Sequence, residues 1–295
     1  MSKNDGNVVL SKGDFGEVNV KDLSKVYEKD GQCLTVLQDC NLHIEKGRLT
    51  VLMGPSGCGK TVLINLIAGY EEPTSGTIRI NDAPVTGPGS DRLVVFQETA
   101  LFPWMNVYSN VTFGCAVKGV PNREIKERAE VILKKVGLYE FRDKYPSQLS
   151  GGMQRRAELA RAMINDPKIM ILDEPFRGLD AMTRQLMQEF YVGLFEEVGR
   201  TNLFITHEID EAIFLADKLV IMTYQPGKVK VEIEVDLPRP RDFKMLASSR
   251  FMEIRTQAID LLYEEAAKAF AAGSKTAYDL VGAIVAQKGS CKRCE

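Results

Sequence analysis

Between Gly54 and Thr61 the chain reads GPSGCGKT, a pattern of residue types that suits a polyphosphate. Glycines leave backbone N–H groups free to turn inward on phosphate oxygens, and a helix beginning at the end of the loop adds partial positive charge. In such a loop the cradle runs through Gly54, Pro55, Ser56, Gly57, Cys58 and Gly59. Lys60 is then expected to reach the β- and γ-phosphates of a nucleotide, and the Thr61 hydroxyl to meet Mg2+. The motif needs a strand before it and a helix after it. LTVLM, Leu49 to Met53, is a continuous apolar run of the kind a buried parallel strand carries, and TVLINLIAGY reads as a helix stopped by Gly69. Cys58, at a helix start beside Lys60, is expected to ionise more readily than a free thiol.

KIMILDEP supplies the other half of a hydrolytic site. A buried strand ending in Asp173 delivers a carboxylate to the edge where ligands of open α/β sheets bind, and there it can hold Mg2+ directly or through a water. Glu174 follows, and magnesium does not require it. A second carboxylate beside the γ-phosphate suits polarisation of an attacking water. Single polar residues close two further strands: Gln97 ends RLVVFQ, with an amide that can touch both Mg2+ and water, and His207 ends NLFITH, able to donate to the γ-phosphate. His43, inside a strand-like run, has an ordinary structural reading. LSGGM sets Ser150, Gly151 and Gly152 ahead of the helix-like run QRRAELARAMI, which makes a second anion cradle. If one ATP sits against both cradles, they must face each other across it.

The elements that position these residues alternate. EVNVKDL and LTVLQDCNLHI are strand-like and end at the turn of Glu45 to Gly47. From about Glu98 to Asn165 the chain reads mostly helical. There NREIKERAEVILKKVG has Asn122 as a cap, apolar residues at Ile125, Ala129, Ile132, Leu133 and Val136, and Gly137 as a stop. Strand and helix patterns then alternate through KIMILDEP, AMTRQLMQEFYVGLFEEV, NLFITH, EIDEAIFLAD and KLVIM, which predicts an α/β protein with a parallel sheet. KVKVEIEV places Val229, Val231, Ile233 and Val235 on one face of an edge strand. A last amphipathic helix spans about Ser249 to Phe270, with Phe251, Ile254, Ala258, Leu261 and Leu262 as its apolar stripe.

A chain of 295 residues makes one large domain or two modest ones, and 44% apolar with 26% charged residues is a soluble globular composition. The formal charge of -2 offers no broad basic field for nucleic acid or anionic lipid. Apolar stretches fall short of the roughly 20 residues that span a bilayer, and MSKNDGNVVL has no signal-peptide pattern. The expected location is therefore the cytoplasm, unless a partner draws the chain to a membrane. Cys33, Cys40, Cys58, Cys115, Cys291 and Cys294 show no disulfide framework. The C-x-x-C of Cys291 and Cys294 cannot close a tetrahedral zinc site alone, and reads as an incidental tail feature.

With these motifs in this order, the sequence resembles the ATP-binding cassette family from about Val18 to Leu237. LSGGM is similar to that family's signature loop, with Met153 in place of the usual glutamine. In the family the signature loop of one subunit clamps the ATP held by the phosphate loop of another, which implies a head-to-tail pair of identical copies. The resemblance assigns Tyr27, in LSKVY, to stacking on adenine, and Gln97 to the lever toward a transport partner. RGLD, ending in Asp180, corresponds to the loop that crosses to the other subunit's nucleotide, although Arg177 and Gly178 are not the commonest residues there. His207 corresponds to the switch histidine. The implied fold is an α/β P-loop NTPase (RecA-like) core with an antiparallel β subdomain and a helical subdomain. The implied organisation is a polar tail over residues 1–16, the ATPase domain over 17–240 with its helical part at about 98–165, and a C-terminal extension over 241–295.

YPSQLSGG is importer-like. FQETALFPWMNVYSNVTFG, EEPTSGTI, THEIDEAIFLAD and DLPRPRD resemble segments of nitrate, sulfonate, taurine and bicarbonate importers. LFPWMNV, with Trp104, has two readings: core of the helical lobe, or a surface that receives a coupling helix. The implied function is the ATPase subunit of a small-anion importer, peripheral at the cytoplasmic face of the inner membrane. It would be held by a separate transmembrane permease and served by an extracytoplasmic solute-binding protein, with ATP and Mg2+ as cofactors and no nucleic acid. The alternative is a soluble, non-transport cassette acting on the ribosome or nucleic acid; a single cassette without a heptad run speaks against it.

Overall fold

Alternating apolar residues in EVNVKDL and LTVLQDCNLHI build two long strands, β1 (Val18–Lys29) and β2 (Gln32–Ile44), which pair antiparallel. The computed structural model describes residues 15–29 and 31–272, so the Cys291 and Cys294 pair and nearly all of the N-terminal tail lie outside the described residues. Among the described residues the chain divides into two units, one holding residues 16–89 and 201–272, the other residue 15 and residues 90–200.

The first unit continues with β3 (Leu49–Met53), α1 (Lys60–Ala68), β4 (Ser75–Ile80) and β5 (Ala83–Pro84). The central unit contains β6 (Arg92–Val95), α2 (Val107–Val117), α3 (Asn122–Lys135), α4 (Gly151–Met163), β7 (Ile169–Asp173) and α5 (Ala181–Val198). The chain then returns to the first unit with β8 (Thr201–Ile205), α6 (Ile209–Leu215), β9 (Lys218–Met222), β10 (Val229–Glu234) and α7 (Ser249–Ala271).

In the first unit β2, β1, β4 and β5 form an antiparallel sheet in that order. Beside it β3 runs parallel to both β8 and β9, and β10 closes on β9 as an antiparallel hairpin. Every residue of β3, β8 and β9 is buried, the requirement of parallel strands covered on both faces, and their predominantly apolar sequences satisfy it, with Thr50, Thr201, Asn202 and Lys218 as buried polar exceptions. In the central unit β6 and β7 pair parallel. The α/β class expected from the alternation is the observed one.

Two local expectations need correction. The cap of α3 is Pro121, not Asn122, which is already the first helical residue and follows a proline whose fixed φ suits a helix entry. Leu261 is only partly buried, whereas Ile259 and Glu265 sit inward on α7 with Phe251, Ile254, Ala258 and Leu262. A 3.6-residue period brings position 259 beneath 262 and 266, while 261 turns toward the rim. No helix among the described residues is long and apolar enough to cross a membrane.

Candidate nucleotide site

In the first unit β3 runs out at Met53 directly into Gly54. The loop closes on itself where the Cys58 N–H donates to the Pro55 carbonyl at 3.2 Å. Gly59 caps α1 at φ 97°, and a Cβ there would fall 2.8 Å from Leu37 Cδ2, so both backbone conformation and the nearness of β2 require glycine. Lys60 is buried, and its ammonium donates to the carbonyls of Gly54 at 2.8 Å and Pro55 at 3.1 Å, which holds it inside the arc of the loop. Thr61 follows on the exposed side of the first helical turn. The parallel register Leu52–Ile205 makes β3 and β8 end at one edge. Gly54 and the half-buried His207 therefore leave from neighbouring strand ends.

Cys58 overturns its expectation. The thiol is fully buried, and burial pushes it up, outweighing the nearby Lys60 ammonium that favours the thiolate. Its sulfur packs beneath Gly54, where an added Cβ would approach it to 2.7 Å, so only the backbone of Cys58 belongs to the cradle. Tyr27 donates its hydroxyl to Glu71, and Lys25 Nζ lies 4.9 Å from the centre of its ring. Burial and the Glu71 carboxylate push the phenol up to about 12.

In the central unit the register Val95–Leu172 does the same for a second pair of strand ends. Gln97, two residues beyond β6, and Asp173–Glu174, at the end of β7, exit at one edge. Glu174 adopts φ 44°, a left-handed conformation that non-glycine residues seldom hold outside functional turns. Its carboxylate accepts from Arg177 Nη1 at 3.0 Å.

Sequence reasoning missed the residue that fixes Gln97. Arg155, buried on α4, donates to the carbonyls of Phe96 at 2.9 Å and Gln97 at 2.6 Å, and pairs with buried Glu158 at 2.6 Å. Glu158 in turn accepts from the Ala100 N–H at 2.5 Å. The only sequence signal was a charged i, i+3 pair on a helix with apolar neighbours, and nothing local assigns it to the Gln97 loop.

The second cradle begins the same helix. Ser150 caps α4 by accepting from the Met153 N–H at 3.3 Å, and Asp180 caps α5 by accepting from the Thr183 N–H at 3.0 Å. The Thr183 hydrogen bonds hold the Asp180 carboxyl below its usual range. A Cβ on Gly152 would lie 3.0 Å from Thr183 Cγ2, and one on Gly151 3.6 Å from Leu179, so the LSGGM and RGLD segments are direct neighbours.

The central unit also bears an open apolar groove of about 600 Å³, lined by Val95, Phe96, Phe102, Phe113 and Val117 among others. Phe102 stacks on Trp104 with ring centres 5.5 Å apart, and Trp104 is 70% exposed. The middle of the LFPWMNV segment is thus surface, while Leu101 and Val107 at its two ends are buried. Buried Asn110 staples the segment by bonding both the N–H and the carbonyl of Phe102 and the carbonyls of Met105 and Asn106.

A buried parallel strand that runs through GPSGCGKT into a helix, within an α/β fold, defines a P-loop NTPase. Residues 37–177 match the protein family described as ABC transporter. An uncharacterised ABC transporter ATP-binding protein of Methanocaldococcus jannaschii is 43% identical over 252 residues, covering 85% of this chain and 93% of the relative. A taurine import ATP-binding protein of Roseobacter denitrificans is 42% identical, with 73% and 81% covered. A nitrate import ATP-binding protein of a Synechocystis strain is 37% identical, with 83% and 94% covered. Among solved structures, a dimeric, post-hydrolysis ATP-binding cassette with ADP and Pi bound superposes with a TM-score of 0.64 at 28% identity, covering 75% of this chain and all of that one. The chain belongs to the ABC transporter family, as one of its ATP-hydrolysing cassettes.

Proposed function

We propose that this cassette powers uptake of a small anion, of the nitrate, sulfonate, taurine or bicarbonate kind, through a separate transmembrane permease. The taurine and nitrate import relatives support the substrate class. The observation that carries the transport reading is the apolar groove lined by Phe96, Phe102 and Phe113, with exposed Trp104 stacked on Phe102. Exposed apolar patches of this kind mark protein contacts, and this one lies directly beside the loop of Gln97. A short helix of the permease fits it. The protein then sits peripherally at the cytoplasmic face of the membrane, indirectly served by an extracytoplasmic solute-binding protein.

In this reading residues 17–240 form the ATPase domain. Two copies close head to tail on two ATPs, with Ser150, Gly151, Gly152 and Asp180 of one against the nucleotide cradled by Gly54 to Thr61 of the other. The dimeric solved relative supports the pairing. Tyr27 contacts the adenine. Thr61, Asp173 and Gln97 offer only oxygen donors, the set that Mg2+ prefers, and they would hold it. Bound there, it would supply neutralisation of phosphate charge. Lys60 binds the β- and γ-phosphates, His207 donates to the γ-phosphate, and Glu174 takes the proton of the attacking water.

The test is affinity purification of the Glu174→Gln form from detergent-solubilised membranes, with mass spectrometry of its companions. A stoichiometric multi-span protein is the expected result. Recovery of a soluble dimer alone, or with ribosomes, would overturn the transport reading.

A further inference from the structure

Glu265 is fully buried on α7, yet it is a carboxylate. Three donors converge on it: the Tyr224 backbone N–H at 2.8 Å, Lys268 at 2.7 Å and Lys230 at 2.9 Å. Burial alone would push its carboxyl up, but the bonds from Lys268, Tyr224 and Lys230 prevail and hold it below the usual range. A buried, fully paired carboxylate fixes whatever it bonds, and here that is the turn between β9 and β10.

The turn is itself rigid. Thr223 closes it by donating its hydroxyl to the Pro226 carbonyl and exchanging hydrogen bonds with Lys228, and Gly227 is zipped to β2, donating to Val36 at 2.8 Å and accepting from Gln38 at 3.1 Å. The far side of the turn lies against the phosphate loop at three points. Met222 Cβ and carbonyl back Gly54, Gln225 Nε2 donates to the Gly57 carbonyl at 3.1 Å, and a Cβ on Gly227 would lie 2.0 Å from the Cys58 carbonyl.

From this geometry we infer that Glu265 and Gln225 are positioning residues for nucleotide binding, through which the C-terminal helix α7 sets the conformation of the phosphate loop. The inference rests on the reading that Gly54 to Thr61 hold the nucleotide's phosphates. An inward-facing cradle depends on where the Gly57 and Cys58 peptides point, and the β9–β10 turn bears on both. Movement of α7, by a partner or by sequence change at its end, then alters ATP affinity without touching a catalytic group.

The test uses the full chain and three measurements: KM and kcat for MgATP hydrolysis, Kd for a fluorescent ADP analogue, and the melting temperature. Gln225→Ala and Glu265→Gln are expected each to raise KM and Kd about three- to tenfold, with the loss falling on KM and not on kcat. The double variant is expected to be no worse than the weaker-binding single, because both act through one turn. Lys268→Ala, whose side chain is 62% exposed, perturbs Glu265 from the solvent side and serves if Glu265→Gln does not fold. Unchanged KM in these variants, or losses that multiply in the double, overturns the relay. A lowered melting temperature with unchanged KM makes Glu265 a packing residue and overturns it equally. Lys60→Ala separates the two levels: if it binds nucleotide as the parent chain does, the phosphate-loop reading itself fails.

Discussion

Arg177 holds Glu174: the guanidinium Nη1 donates to the carboxylate Oε2 at 3.0 Å, from a side chain that is 62% exposed to one that is 11% exposed. The turn at φ 44° presents Glu174 from the end of β7, and Arg177 adds a charged partner three residues on. Glutamine at 174 can still accept from Arg177 through its amide oxygen, so that substitution removes the proposed base without releasing the turn. Glu174→Gln is expected to lower kcat by about 100-fold or more while retaining ATP binding. Size-exclusion chromatography with ATP should then show a persistent dimer; normal turnover would remove Glu174 from the role of base.

Lys60 bonds two loop carbonyls from a buried position, which holds its charge inside the loop. Lys60→Ala is expected to weaken nucleotide binding by more than about tenfold, as loss of a charge-assisted phosphate contact does. Titration with a fluorescent nucleotide checks this.

The burial of Cys58 makes a labelling prediction opposite to its position in the motif. With the thiol pushed up, its thiolate fraction at pH 8 is smaller than that of a free cysteine, and the sulfur lies under Gly54. Iodoacetamide should modify exposed Cys33 well before Cys58 in the native protein, read by peptide mass spectrometry. Rapid native labelling of Cys58 would contradict the packing.

Val117, which lines the groove, is 72% exposed, and Trp104, stacked on the groove residue Phe102, is 70% exposed. Trp104→Ser and Val117→Asp are expected to abolish recovery of the permease from membranes, while stability changes by no more than about 0.5 kcal/mol, as at other surface positions. Intact co-purification from both variants would place the permease contact elsewhere.

Glu45 accepts from Lys218 and Arg48, and these bonds hold its carboxyl down from 4.5 to about 2. A depressed carboxylate contributes stability above its unfolded value of 4.5, and that contribution is lost as pH falls toward 2. The side chain is 32% exposed, so screening limits the effect to about 1 kcal/mol or less. Urea unfolding at pH 6 and pH 3 should show a smaller acid loss in Glu45→Gln than in the parent chain.

Much of this protein was legible in its sequence because the informative patterns are local. GPSGCGKT and its flanks specify strand, loop and helix within a short stretch, and the α5 run AMTRQLMQEFYVGLFEEV announces its own ends. Parallel strands declare themselves as unbroken apolar runs because both of their faces are covered. The same locality explains the errors. Cys58 was read from its neighbours in the chain, Lys60 and the helix start, whereas its ionisation is decided by burial under a loop backed by β9. The Gln225–Gly57 contact spans 168 positions, the Tyr224–Glu265 bond 41, and the Arg155 grip on Gln97 58. By itself the sequence nominated the groups proposed to bind and hydrolyse ATP, because residue type and short-range spacing define such motifs. Which of those groups are buried, which are held, and by what, only the tertiary structure decided, because desolvation and long-range hydrogen bonds depend on segments that no local pattern brings together.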